Sequence, residues 1–251
     1  MPKHPIVSRE EWVVARKLLL AKEKQLTREL DALAQARRDL PWVKVEKSYT
    51  FDAPDGKVTL AELFDGRTQL IVQHFMFGPD WAEGCVGCSF KSDHIDGARI
   101  HLEHHDVSFV SVSRAPIEKI EAYRKRMGWT FKWVSSYHSD FNYDYGVSFR
   151  PGEPAMYNYV MHPAAPHGMD EASGDSVFLM DEAGDIYHTY STYGRGDEKL
   201  VNAYNYLDLT PNGRNETVNG NLMDWVKRHD QYESTPVRIG LSAARNKVRP
   251  S

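Results

Sequence analysis

Two cysteines are the whole thiol content of this 251-residue chain, and they stand three residues apart as Cys85-Val86-Gly87-Cys88. A disulfide between them would close almost no loop, so it cannot act as a staple, whose effect grows with the loop it closes. Thiols at this spacing suit other work: a nucleophile with a resolving partner, or half of a zinc site. A zinc site needs four ligands, and the available recruits are His94, His101, His104 and His105. On a helix running on from Cys85, His94 points to the opposite face and the His101/His105 pair lies too many turns away, so no metal is expected. The bland alternative is a pair of buried small hydrophobes with no chemistry.

The surroundings of the pair favour chemistry. Gln69 to Phe77 is nearly continuous apolar sequence, as in a central strand covered on both faces, and the cysteines follow it after a glycine-proline loop. A strand, a loop and thiols opening a helix place backbone amides where they stabilise a thiolate. Cys85 is then the exposed nucleophile, and Cys88, one turn on, resolves the mixed disulfide. Trp81 precedes the pair and either covers the thiols or packs. Arg114 follows another predicted strand at the carboxyl edge of the sheet, where α/β proteins bind ligands, and is placed to hold a thiolate or an anionic substrate, or to form a surface ion pair. Tyr137, His138, Phe141, Tyr143 and Tyr145 line either a substrate groove or, on the favoured reading, the inside of a capping loop.

The elements that must position these residues alternate in type. Ser8-Arg9-Glu10-Glu11 is a capping box, with Val7 and Trp12 spaced as a hydrophobic staple, and helix formers continue to about Arg38. Trp12, Leu19, Leu26, Leu30 and Leu33 fall on one stripe interrupted by Arg16 and Glu23. The stripe fits a coiled-coil seam or, the preferred expectation, packing on the chain's own domain. Short strands are predicted around Val43 and Tyr49–Phe51, then Val58–Phe64 as a strand tipping into a helical turn. A helix is predicted from Cys85 to about His105, a strand over Val107–Val112, and a helix from Pro116 to the stop at Gly128. Trp133–Ser135 forms a strand, Ser176–Met180 and Asp185–Tyr190 a hairpin, and Asp197 to about Leu207 a helix. A short helix around Trp225 and a basic tail complete the chain. The alternation predicts an α/β layer structure, with a helical extension over residues 1–40, the main domain over 41–210 and a C-terminal extension over 211–251.

A formal net charge of -4 gives no basic field for a phosphate backbone, so nucleic-acid binding is not expected. No stretch is apolar enough to span a bilayer and the start lacks a signal-peptide pattern, which predicts a cytoplasmic protein without a membrane partner. No G-x-S-x-G, P-loop or H-E-x-x-H pattern occurs, removing the matching hydrolase, nucleotide and zinc-protease readings.

The order of elements from Tyr49 to Leu207 resembles the thioredoxin superfamily, and Phe51-Asp52-Ala53-Pro54-Asp55-Gly56-Lys57-Val58-Thr59-Leu60 is similar to the entry hairpin of its peroxiredoxin-like branch. Within it, the chain is identified as a member of a bacterial thioredoxin-like family of unknown function. The segments that carry the match are Phe75-Met76-Phe77-Gly78-Pro79-Asp80-Trp81, Gly84-Cys85-Val86-Gly87-Cys88-Ser89, Ser113-Arg114-Ala115-Pro116, Ser139-Asp140-Phe141-Asn142-Tyr143-Asp144, Thr189-Tyr190-Ser191-Thr192-Tyr193 and Leu207-Asp208-Leu209-Thr210-Pro211. The resemblance implies a thioredoxin-like α/β fold: a central mixed sheet flanked by helices, here with a long N-terminal helix and a C-terminal extension. It also implies a thiol-disulfide oxidoreductase with Cys85 and Cys88 as catalytic residues, no cofactor, a protein or small-molecule disulfide as substrate and a cellular thiol as reductant. A homodimer is left open. Two departures matter. Ser176 stands where thioredoxins place the cis-proline that faces their cysteines, and Ala82 stands where the peroxidatic motif has a hydroxyl residue. A peroxiredoxin-like peroxidase and a non-catalytic thioredoxin-fold scaffold are the alternatives.

Overall fold

The computed structural model describes residues 4–214, 216 and 223–232. A helix, α1 (Arg9–Arg38), leads through β1 (Val43–Lys44) to a hairpin of β2 (Thr50–Ala53) and β3 (Gly56–Thr59), and then to β4 (Gln69–His74). Next come α2 (Val86–Ser92), α3 (Ile95–Glu103), β5 (Val107–Ser113), α4 (Ile117–Met127) and β6 (Lys132–Ser135). A short helix α5 (Phe141–Asp144) and a small hairpin of β7 (Ala155–Tyr157) and β8 (Val160–His162) precede β9 (Gly174–Met180), β10 (Ile186–Tyr193) and α6 (Asn202–Leu207).

Eight strands form one sheet in the order β1-β10-β9-β4-β5-β6-β2-β3. β4, β5 and β6 run parallel, and β9 and β10 close against β4 as an antiparallel hairpin. A central strand followed by a thiol-bearing helix, parallel neighbours on one side and an antiparallel hairpin on the other, is the thioredoxin-like fold that the sequence predicts. Apolar Leu70, Ile71 and Val72 make the middle of β4, and buried Gln73 and His74 end it. Leu70 and Val72 join Phe51, Phe64 and Phe178 in one core cluster, while Phe75 and Phe77 just beyond the strand join Cys88, Ile120, Tyr123 and Trp133 in another. The α4 prediction holds at both ends: Pro116 is the N-cap, and Gly128 at φ 68° takes the left-handed C-cap conformation that glycine favours.

Other predictions need correction. The helix expected from Cys85 to His105 is broken at Asp93–His94 into α2 and α3. Tertiary hydrogen bonds fix the break: the Asp93 carboxylate accepts from Trp129 Nε1 at 2.9 Å and lies 2.7 Å from His229 Nδ1, while His94 Nε2 accepts from the Ala203 amide at 3.1 Å. The Asp197–Leu207 helix is likewise a 3-10 segment, Gly194–Leu200, followed by α6. Around Trp225 there is a turn rather than a helix; the basic tail lies outside the described residues. The Tyr137–Gly174 stretch turns part of its aromatic cluster inward: Phe141 is in the core with Tyr145 packed against it, Tyr143 lies under the guanidinium groups of Arg114 and Arg150 at 4.7 and 4.1 Å, and Tyr137 and His138 stay exposed.

The largest departure is α1. Its capping box forms as predicted, with the Glu11 amide donating to Ser8 Oγ at 3.2 Å and the Ser8 amide donating to Glu11 at 2.9 Å. Yet the helix buries none of its residues. The stripe of Trp12, Leu19, Leu26, Leu30 and Leu33 remains 46–55 % exposed, so it does not pack on the chain's own domain. Among the described residues no helix is long and apolar enough to cross a membrane.

Candidate functional site

The chain leaves β4 still bonded to its neighbours. Phe75 N–H donates to Val112 O at 3.0 Å, Ala115 N–H to Phe77 O at 2.8 Å, and Cys85 N–H to Met76 O at 3.0 Å, which pins the start of α2 beside the strand end. The loop between is close-packed. A Cβ on Gly84 would stand 2.6 Å from the Phe75 ring and 3.0 Å from that of Tyr123, so only glycine lets the backbone approach this closely.

Cys85 is the N-cap residue of α2, half-buried, and Cys88 is buried one turn in; both are free thiols, near enough that each shifts the other's titration. The Cys85 thiol is shifted down to about 6, first by the hydrogen bond from Cys88, then against burial by the amides of Cys88 and Gly87 and by the charge of Arg228. Cys88 moves the opposite way, well above its ordinary value, because it donates to Cys85, is buried and faces the Cys85 charge. Its sulfur also accepts the Met76 amide at 3.5 Å. The arrangement is asymmetric in the useful sense: a thiolate at the surface, and a protonated thiol behind it.

Arg228 is the cation at this site, and it comes from the C-terminal segment. Nη2 donates to Gly84 O at 2.6 Å, Nε to Tyr123 Oη at 2.8 Å, and Nη1 pairs with Glu83 at 2.8 Å. Ser89 Oγ donates to Cys85 O at 2.8 Å and lies 2.9 Å from Tyr123 Oη. Since that serine proton is already placed, the tyrosine hydroxyl donates to Ser89, giving a directed chain from Arg228 through Tyr123 and Ser89 to the Cys85 carbonyl.

Lys91, a further turn into α2, lies beneath the thiols with its side chain only 5 % exposed. Its ammonium donates to both Asp175 oxygens at 3.1 and 2.9 Å and to Asp197 at 2.7 Å. Burial alone would lower Lys91, but the two carboxylates outweigh it and hold the ammonium charged, while burial raises Asp175. This ion triad ties α2 to β9 and to the segment after β10.

A cavity of about 750 Å³ opens onto both cysteines. Its apolar wall is built by Met76, Trp81, Met169, Val201, Tyr204 and Met223. Trp81 is therefore at the thiols, half-buried. The two other residues singled out from sequence go elsewhere. Arg114 does not line this cavity: it pairs with the buried carboxylate of Glu171 at 3.1 Å, and burial raises that carboxyl to about 7. Ser176 is a correction too, because it points into the sheet interior, bonded to His74 Nε2 and Ser191 Oγ at 2.7 Å each. The hairpin residue that lines the cavity is Ser173, just before β9, since the strand starts at Gly174.

Sequence reasoning missed Lys91, Asp175, Asp197 and Arg228. Lys91 had a signal, since it follows Cys88 by the same interval that separates the cysteines and so shares their helix face. Arg228 had none, being 144 positions from the carbonyl it holds.

Residues 1–232 match the family described as "Bacterial protein of unknown function (DUF899)", and the chain belongs to that family. No curated protein matches it. Among solved structures it is similar to the peroxidoxin BcpB from Mycobacterium tuberculosis, with 11 % identity over 65 % of this chain and 94 % of that one and a TM-score of 0.42. It is also similar to peroxiredoxin Q from Xanthomonas campestris, with 12 % identity over 62 % of this chain and 90 % of that one and a TM-score of 0.41.

Proposed function

We propose that this protein is a thiol-disulfide oxidoreductase acting on disulfides that carry an apolar group, with Cys85 as nucleophile and Cys88 as resolving thiol. The observation that supports this reading is that two free thiols, one turn apart at the start of α2 and tuned in opposite directions, line the same apolar cavity. The Cys85 thiolate attacks one sulfur of the substrate RS–SR; the S–S bond breaks, a Cys85–SR mixed disulfide forms, and RS⁻ leaves to take a proton. That step removes the charge and the hydrogen-bond acceptor that hold the Cys88 proton, while the Lys91 charge remains. Cys88 then loses its proton, attacks the Cys85 sulfur and expels the second RS⁻. The second RS⁻ takes up a proton like the first; the two released thiols now carry the two electrons, the protein has lost them on forming the Cys85–Cys88 disulfide, and a cellular dithiol reduces that disulfide to restore the pair.

The cavity favours apolar groups because its walls are thioether, indole and aliphatic, and thioethers adapt to varied shapes. Its charged members are already matched: Lys91 by the two aspartates, and Arg195 by Glu198 at 2.8 Å. Little is left to recognise an anionic disulfide such as oxidised glutathione.

Turnover of a neutral aromatic disulfide and of oxidised glutathione, each with a dithiol reductant, tests the reading. The neutral substrate is expected to have the larger kcat/KM, Cys85→Ser to be inactive, and Cys88→Ser to stop at a mixed disulfide visible by mass spectrometry. Undiminished activity in Cys85→Ser refutes the assignment. Thiols inert to every disulfide support a binding protein instead, and fast consumption of hydrogen peroxide supports a peroxidase despite Ala82.

A further inference from the structure

The stripe on α1 repeats at an interval of seven residues through Trp12, Leu19, Leu26 and Leu33, with Leu30 between the last two. A straight α-helix drifts by about 20° per heptad relative to such a repeat, so the repeat matches a supercoiled helical partner better than a flat domain surface. No residue of this helix is buried within the chain. The 30-residue helix is about 45 Å long, and the exposed stripe from Trp12 to Leu33 runs about 32 Å of it. We infer that α1 pairs antiparallel, along its full length, with α1 of a second copy of this chain.

The charges that interrupt the stripe select the second copy and its direction. With Trp12, Leu19, Leu26 and Leu33 at d, the a positions hold Arg16, Glu23, Leu30 and Arg37. A parallel pair would set Arg16 against Arg16, Glu23 against Glu23 and Arg37 against Arg37, like charges in the seam. The antiparallel pair with full overlap sets Leu19 opposite Leu30 of the partner subunit, Arg16 opposite Leu33 of the partner subunit, and Glu23 opposite Leu26 of the partner subunit. It also brings Trp12, which carries Arg9 over its ring at 4.6 Å, beside Arg37 of the partner subunit; Arg37 lies 5.7 Å over the Tyr190 ring of its own chain and keeps its charge off the leucines of the seam. Arg16 and Glu23 neutralise each other along the helix at 2.8 Å, so neither enters the seam as a lone charge. At the flank, the same register puts Lys22 across from Glu29 of the partner subunit, twice by symmetry, and Ala15 across from Ala36 of the partner subunit, where small side chains allow close approach. One register therefore satisfies the apolar, small and charged positions together, and the interface is isologous as a two-fold dimer requires.

Sedimentation equilibrium of the full chain over a concentration series provides the test. The wild type is expected at twice the chain mass. Leu19→Glu with Leu26→Glu should weaken association by roughly a hundredfold or more, since four leucines of the dimer become charged. Because no residue of α1 is buried in its own chain, the alkylation rate of Cys85 at a fixed pH should be unchanged, separating dissociation from misfolding. Lys22→Glu and Glu29→Lys should each weaken the dimer several-fold and the double swap should restore it; a parallel pair never brings these positions together. A wild-type monomer at tens of micromolar, a dimer indifferent to the leucine substitutions, or charge swaps without rescue would each overturn the proposal. So would a monomer that binds phosphatidylcholine vesicles through the same leucines.

Discussion

Two helices of this molecule, α1 and α2, spend their first-turn amides on different partners. In α1 the free donors of the first turn are met by a capping box of Ser8 and Glu11, and the helix runs 30 residues without burying one. In α2 no side-chain hydrogen bond caps the start; the amides of Gly87 and Cys88 instead favour the thiolate form of Cys85, and five of its seven residues are buried, a lysine among them. Good capping and strong helix formers make α1 stable with little help from the fold. α2 is short and poorly capped, so it depends on β4, β9 and the C-terminal segment to hold it, and that dependence sets the thiols in place.

If this contrast is right, the largest single-residue effect on stability falls in α2. Lys91→Met leaves Asp175 and Asp197 buried side by side without their cation, which should cost about 3–5 kcal/mol. Chemical denaturation of the reduced protein measures it. Asp175→Asn with Lys91→Met should recover part of the loss, because one buried charge is removed. By comparison, Val14→Ala on the exposed face of α1 should change stability by less than ~0.5 kcal/mol. A near-neutral Lys91→Met would show that the triad does not hold α2.

The next effect is on the thiolate. Because the Cys85 pKa is lowered to about 6, its alkylation rate should rise as pH climbs through about 6 and be nearly flat by neutrality. Removing a group that favours the thiolate moves the midpoint up, so Cys88→Ala should shift it furthest. Cys88→Ser, which keeps a donor, should shift it less. Arg228→Gln should move it upward by a smaller step, since the charge of this largely buried guanidinium is the least of the causes that hold the Cys85 thiol down. An alkylation profile against pH in each variant gives the order, and a larger shift for Arg228→Gln than for Cys88→Ala would reverse the roles assigned to them.

Legibility followed the range of the interaction. The Ser8/Glu11 box, the Pro116 and Gly128 boundaries of α4 and the apolar run of β4 are set by neighbours a few positions away, and the sequence shows them. The helix break at Asp93–His94 is imposed by Trp129, His229 and Ala203 from other elements, and no local propensity marks it. The cysteines were legible because their spacing is itself the signal. Arg114 looked like the thiolate's cation because it follows a strand at the sheet edge, but Glu171 was already its partner, and a buried carboxylate is invisible to motif reading. For Ser176 the strand was found but not the residue: Ser173, three positions earlier and just before β9, lines the cavity, while Ser176 bonds to His74 and Ser191. For α1 the stripe correctly reported a surface that seeks cover. A stripe does not say which surface provides it: the helix meets its own domain at Arg37, whose guanidinium lies 5.7 Å over the Tyr190 ring, while the leucine stripe stays exposed.

The smallest effect returns to α1. Ser8→Ala removes the side-chain acceptor for the Glu11 amide and with it the reciprocal contact to the Ser8 amide, at a local cost of about 1 kcal/mol. Because α1 buries nothing within its chain, this loss should not reach the domain. Denaturation followed by the core tryptophans Trp129 and Trp133 should be unchanged, while amide exchange in the first turn, Arg9 to Trp12, should quicken about fivefold. Faster exchange spreading into α2, or a shifted core transition, would mean that the long helix is coupled to the site after all, and the two helices would then have to be read as one stability unit.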